Sequence, residues 1–137
     1  MQMLAKCYSG AICGVDARTV EIEVFSTVGT NSFAIVGLPD QAVKEAKDRV
    51  STALKNSGYQ SKREFAVTVN LAPADVRKEG PIYDLPIAIC LLKATGRLQN
   101  EQLDNYGMVG ELALSGEVRK VRGILPIVME MRRIGKM

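Results

Sequence analysis

With 137 residues, 47% of them apolar, and a formal net charge of +3, the chain is sized for one hydrophobic core and a single domain over residues 1–137. The charge is too small to name an acidic partner, and no apolar run nears the roughly 20 residues of a membrane span, so a cytoplasmic protein without a membrane partner is expected. Histidine is absent, Cys7, Cys13 and Cys90 form no CxxC pair, and the N-terminus lacks an apolar stretch with a small-residue cleavage site, which argues against a zinc site and against secretion.

Val20, Ile22 and Val24 alternate with Glu21, Glu23 and Phe25, and Phe33 to Val36 form a short apolar run closed by Gly37. These patterns predict three strands between residues 3 and 37, joined near residues 14–17 and 29–31. Cys7 and Cys13 stand six apart, on one face of a regular strand, and are expected as small buried hydrophobes, with a thiol pair as the alternative. LPDQAVKEAKDRVSTALKNSG then marks both ends of a helix over residues 40–58. Asp40 is its N-cap, Val43, Ala46, Val50, Ala53 and Leu54 make one apolar face, and Gly58 is the left-handed stop. On the opposite face Glu45 stands four residues before Arg49 in a mixed-charge, solvated surface.

Phe65, Val67 and Val69 alternate with Ala66 and Thr68 as a fourth strand, which runs into the polar loop of NLAPADVRKEGPIYDLPIAI. Asp75, Arg77, Lys78 and Glu79 occupy that loop, and Gly80-Pro81 turns the chain toward Asp84, the expected cap of a helix over 85–95. Pro86 is tolerated in the first turn, where the amides have no helical acceptor, and Gly96 ends the helix. MVGELALSGEVRKVRG reads as a hairpin with strands at 108–114 and 118–121 around Ser115-Gly116. A last helix is expected from Ile124; it runs into the chain end at Met137 without a capping glycine and following strand, which predicts a fragment of something longer.

A nucleoside-triphosphate site needs a glycine-rich loop whose amides turn inward and a lysine that reaches the terminal phosphates. The single Gly-Lys is Gly135-Lys136, with Glu130 in the place of the first glycine and Met137 in that of the hydroxyl residue. ATP hydrolysis by this chain alone is therefore not expected. Asp75, Glu79 and Asp84 match no calcium-loop spacing, so no metal site is assigned.

Three long segments, AIVGLPDQAVKEAKDRVSTALKNSG, VTVNLAPADVRKEGPIYDLPIAI and VGELALSGEVRKVRGILPIV, occur in an order that resembles the N-terminal region of the Mg-chelatase-like AAA+ proteins of the ComM/YifB competence family. The resemblance implies an α+β domain of the ribosomal protein S5 domain 2-like, Lon protease-like class, a mostly antiparallel sheet packed with helices. It also implies an attached hexameric AAA+ ATPase absent from this chain, which would bind ATP and magnesium, and a family role in DNA branch migration. In Lon proteases a serine follows the Gly-Pro and a lysine lies in the helix after the hairpin, and a desolvated neutral amine can take the hydroxyl proton. Here Gly80-Pro81 is followed by Ile82, and matching the hairpin puts Ile127 where the lysine would be. Both positions are aliphatic, so a Ser-Lys peptidase is disfavoured.

No cofactor is assigned to this chain. Asp75, Arg77, Lys78, Glu79 and Asp84 are the candidates for docking on a neighbouring subunit or on the chain's own ATPase module, with Arg77 as a bidentate carboxylate partner; a solvated loop is the alternative. Arg119, Lys120, Arg122, Arg132 and Arg133 are candidate DNA contacts, because Lys136 joins them and only Glu130 opposes them; a solvated face is the alternative. No aromatic residue interleaves with this cluster, so base stacking is not indicated. A stand-alone nucleic-acid-binding module remains the second reading.

Overall fold

The structure is a computed structural model, which describes residues 2–59 and 63–137. Strands β1 (Gln2–Cys13) and β2 (Asp16–Val28) form a long antiparallel hairpin, with Gly14 at φ +66° in its tight turn. Strand β3 (Ser32–Val36) follows after the expected break, but β4 (Phe65–Ala72) lies between it and β2, giving the order β1-β2-β4-β3. Side-chain burial explains that order. Val67, Val69 and Leu71 of β4 are all buried, as a central strand requires, whereas Phe33 and Ile35 of β3 are only half-buried and suit an edge. β4 is antiparallel to β2 and parallel to β3.

One face of the sheet carries Cys7, Val20, Ile22, Val24, Val69 and Leu71, all but solvent-free. Helix α3 (Asp84–Ala94) packs there: Ser26 donates to Ala94 O at 2.9 Å and Cys90 Sγ points at Ile22 O. Cys7 and Cys90 are buried as expected of small hydrophobes, but Cys13, at the hairpin end beyond the helix, is exposed.

The helix expected over 40–58 is two helices, α1 (Gln41–Lys44) and α2 (Ala46–Asn56). Asp40 caps the first, accepting from Val43 N at 2.8 Å, and Gly58 takes φ +86° after the second. The break has a specific cause. A continuous helix would give the Ala42 carbonyl to the Ala46 amide; here Arg49 Nη2 takes that carbonyl at 2.6 Å. The late hairpin also exists, but it is shorter than expected. Its strands β5 (Glu111–Leu112) and β6 (Val118–Arg119) form a separate two-stranded sheet instead of extending the main one.

Helix α4 (Leu125–Arg133) lies on the other sheet face. Strand alternation puts Gly10 and its partner Thr19 on the face opposite Cys7 and Ile22. A Cβ at Gly10 would stand 2.8 Å from an Ile127 methyl, so glycine at this position lets the helix approach. The helix is not cut off by the chain end: it stops at Arg133, Gly135 adopts φ +80°, and Lys136 N returns to Met131 O at 2.8 Å. Glu130 secures the helix to β2, accepting from Thr19 N at 3.2 Å and Thr19 Oγ1 at 2.7 Å. Bonds from Arg133 and Thr19 hold its carboxyl down at about 2 against an ordinary 4.5. A depressed carboxylate adds stability above its unfolded pKa and loses it as pH falls through the folded one. The Thr19 amide resonance should therefore shift as α4 loosens between about pH 4.5 and pH 2. Glu130→Gln should abolish that step; an unchanged titration in the variant would assign it elsewhere.

Candidate functional site

The loop between β4 and α3 is built around Lys78. Its amide donates to Leu38 O at 3.0 Å, its carbonyl accepts from Asp40 N at 2.9 Å, and its Nζ donates to Gly37 O at 2.7 Å and to Pro73 O. Asp40 completes the clamp by accepting from Gly80 N at 3.1 Å. Lys78 is completely buried, so the reading of this residue as part of a solvated or docking surface is corrected. Burial pushes the amine below the usual lysine range; exposed Asp75 opposes this and nearby Arg18 reinforces it. With Lys78 turned in, its neighbours turn out. Arg77 and Glu79 are 70% and 68% exposed and pair at 3.3 Å.

Asp84 is also moved from its expected role. Pro81–Tyr83 form a short 3-10 turn, so Asp84 is the first helical residue and caps no amide of its own helix. Its buried carboxylate instead accepts from Arg49 Nε at 2.6 Å, Arg49 Nη2 at 3.0 Å and Leu112 N at 3.1 Å. Burial pushes the carboxyl up, while the guanidinium and the Leu112 amide pull it back. Asp84 joins α2, α3 and the late hairpin and is not available to a partner. Arg49, read as a solvated residue, was the missed member. The signal was its position three residues after Ala46 and four before Ala53, inside the apolar stripe.

Above this framework lies a pocket of about 190 Å³. Ile82 and Ile127, the two positions matched to a serine and a lysine, both line it, with Ile12 of β1 beside them. Arg77, Glu79 and Arg122 stand around it, so one member of the basic cluster joins two members of the loop. Tyr83 also lines it but is almost wholly buried, and its hydroxyl donates to Gly10 O at 2.9 Å. Burial also raises that phenol far above its usual range, so it stays protonated. Its lining thus combines two guanidinium side chains and a carboxylate with aliphatic side chains, and holds neither an aliphatic hydroxyl nor an amine.

The remaining basic residues do not gather there. Arg133 is tied to Glu130 by two bonds, at 2.7 and 3.0 Å, which removes it from the candidate DNA contacts as a free charge. Arg119, Lys120 and Arg132 are exposed, and among the described residues no ion pair joins them or Arg122. Among the described residues there is no group of three or more metal-ligating side chains and no helix long and apolar enough to cross a membrane.

Comparison with known proteins gives a consistent set of likenesses. Residues 20–137 match the family described as subunit ChlI of Mg-chelatase. The chain is 45% identical over 133 residues to YifB of Escherichia coli, which covers 97% of this chain and 26% of that protein. It is 47% identical over 132 residues to the competence protein ComM of Haemophilus influenzae, covering 95% of this chain and 25% of that one. A more distant likeness, 23% over 123 residues, is to a Lon protease of Leptospira interrogans, covering 88% of this chain and 14% of the protease. The α+β fold is accordingly Lon-like, and the chain spans about a quarter of the length of the ComM and YifB relatives.

Proposed function

We infer that this chain, which belongs to the family of subunit ChlI of Mg-chelatase, is a non-catalytic docking domain of a ComM-like AAA+ ATPase. The observation that carries this reading is the meeting of Ile82 and Ile127 in one pocket flanked by Arg77, Glu79 and Arg122. Where a Ser-Lys enzyme would need a hydroxyl beside a neutral amine, this chain presents two aliphatic side chains. What remains is a concave surface with charge at its rim, suited to contact with a neighbouring subunit or with the ATPase module. ATP and magnesium belong, in this reading, to that module.

Guidance of DNA is the second reading, favoured by the exposed Arg119, Lys120 and Arg132, which make no ion pair among the described residues. A salt series with duplex and forked DNA separates the two. Docking alone predicts no binding at low salt. DNA guidance predicts binding that weakens by about tenfold or more between low and physiological salt and is lost when Arg119, Lys120 and Arg122 are all changed to Ala. A serine-directed fluorophosphonate is expected to leave the chain unlabelled; stoichiometric acylation would overturn the non-catalytic reading.

A further inference from the structure

We propose that Cys7 and Cys90 are a disulfide-forming pair, oxidised by a hydroperoxide to a bond that fastens α3 to β1. The sequence offers Cys7 and Cys13 as its thiol pair, but six residues of strand hold these about 20 Å apart, far beyond the roughly 7 Å a disulfide can bridge. The fold brings Cys90 to Cys7 instead. Cys7 is paired across the ladder with Ile22, and Cys90 Sγ stands 3.7 Å from Ile22 O, so both sulfurs meet at one backbone position beneath α3. Both residues are completely buried, so neither sulfur turns away to solvent, whereas Cys13 is exposed.

The surroundings give the two thiols different roles. Lys93 Nζ donates to Lys6 O at 3.2 Å, one residue from Cys7, and to Asp104 Oδ1 at 3.0 Å. A hydrogen bond with Cys90 draws the Cys7 thiol below its usual range; burial opposes this, Lys93 supports it and Asp104 opposes it. The same bond, with burial, pushes the Cys90 thiol far up. Cys7 is therefore the nucleophile and Cys90 the resolving thiol. The Cys7 thiolate attacks one peroxide oxygen, the O–O bond breaks, and the departing oxyanion takes the Cys7 proton, leaving a sulfenic acid. The Cys90 sulfur then attacks the Cys7 sulfur, the S–O bond breaks, and water leaves with the Cys90 proton. The thiols lose two electrons and the peroxide gains them. Entry is by the 3-10 segment Glu101–Asn105, which packs against β1 yet has no buried residue. Such a segment opens before the sheet does, and the Lys93–Asp104 pair that ties it to α3 has a carboxylate 63% exposed.

The test treats the whole 137-residue chain with hydrogen peroxide in the absence of denaturant, beside the Cys13→Ser variant, which keeps only the two buried thiols. The variant should lose the mass of two hydrogens, and a non-reducing digest of either protein should join the Cys7 and Cys90 peptides. Dithiothreitol should reverse both changes. The bond closes a loop of about 80 residues, so the urea midpoint should rise on oxidation and return on reduction. Asp104→Asn, at an exposed position, removes both the ion pair and the charge that opposes the Cys7 thiolate. Added to Cys13→Ser, it should speed the oxidation by about two- to fivefold. A Cys7–Cys13 link, a Cys7–Cys90 link that forms only in urea, oxygen gained without any link, a midpoint that falls on oxidation, or a rate unchanged by Asp104→Asn would each overturn the proposal.

Discussion

Asp84→Ala should cost about 3–5 kcal/mol of folding stability, among the largest effects available to a single substitution in this domain. The carboxylate is fully buried and accepts a two-bond grip from Arg49, at 2.6 and 3.0 Å, and a third bond from the Leu112 amide. Its removal leaves a buried amide unpaired and strands a guanidinium that is only 19% exposed. Arg49 also holds the Ala42 carbonyl at the α1–α2 break, so the loss reaches a fourth element, α1. Asp84→Asn, which keeps an acceptor for Leu112 but not the charge, should lose less. Replacing the pair together, with Asp84→Leu and Arg49→Met, should recover part of the loss, because apolar groups of similar volume need no compensation. Urea midpoints at constant m-value would measure all three; a loss below about 1 kcal/mol for Asp84→Ala would mean that water replaces the carboxylate.

The strand alternation of Val20, Ile22 and Val24, the Asp40 cap and the glycine stops at 58 and 96 could be read because each is a local rule acting within a few residues. The insertion of β4 between β2 and β3 could not be read that way. Pairing order depends on which strand buries more surface in the assembled sheet, and that comparison spans the chain. The site divides along the same line. Arg77 and Glu79 were legible as exposed charges, but Lys78 between them looks identical in the sequence. What buries it is a set of carbonyls from residues 37 and 73, brought to its Nζ by the β3–β4 pairing. Ile82 and Ile127 became positions of interest through resemblance to Lon proteases, and their meeting in one pocket required helix α4 to settle against Gly10. Arg122 joined them from a cluster whose charge pattern reads as a solvated face or a DNA contact.

Gly37→Ala should be the other severe substitution, and it tests whether the loop clamp positions the pocket. Gly37 sits at φ +108°, where a side chain is strained whatever space surrounds it. The space is also missing: a Cβ would lie 2.9 Å from the Leu71 carbonyl carbon and nearer still to its oxygen. Leu71 belongs to central β4 and cannot yield without disturbing the sheet, so strain and clash together should cost about 3 kcal/mol or more, roughly a 10 °C fall in Tm for a domain of this size. The neighbouring residue gives a control. Leu38 has φ +57° with its side chain half exposed, so Leu38→Gly relieves strain at little loss of packing and should leave Tm nearly unchanged. Because Gly37 O and Leu38 O are the acceptors for Lys78 Nζ and Lys78 N, Gly37→Ala should also release the loop. Hydrogen exchange at the amides of Lys78 and Asp40 should then accelerate more than at the β1–β2 ladder. Uniform acceleration across all strands would instead make Gly37 a requirement of the sheet alone, with the clamp on Arg77 and Glu79 following passively from it.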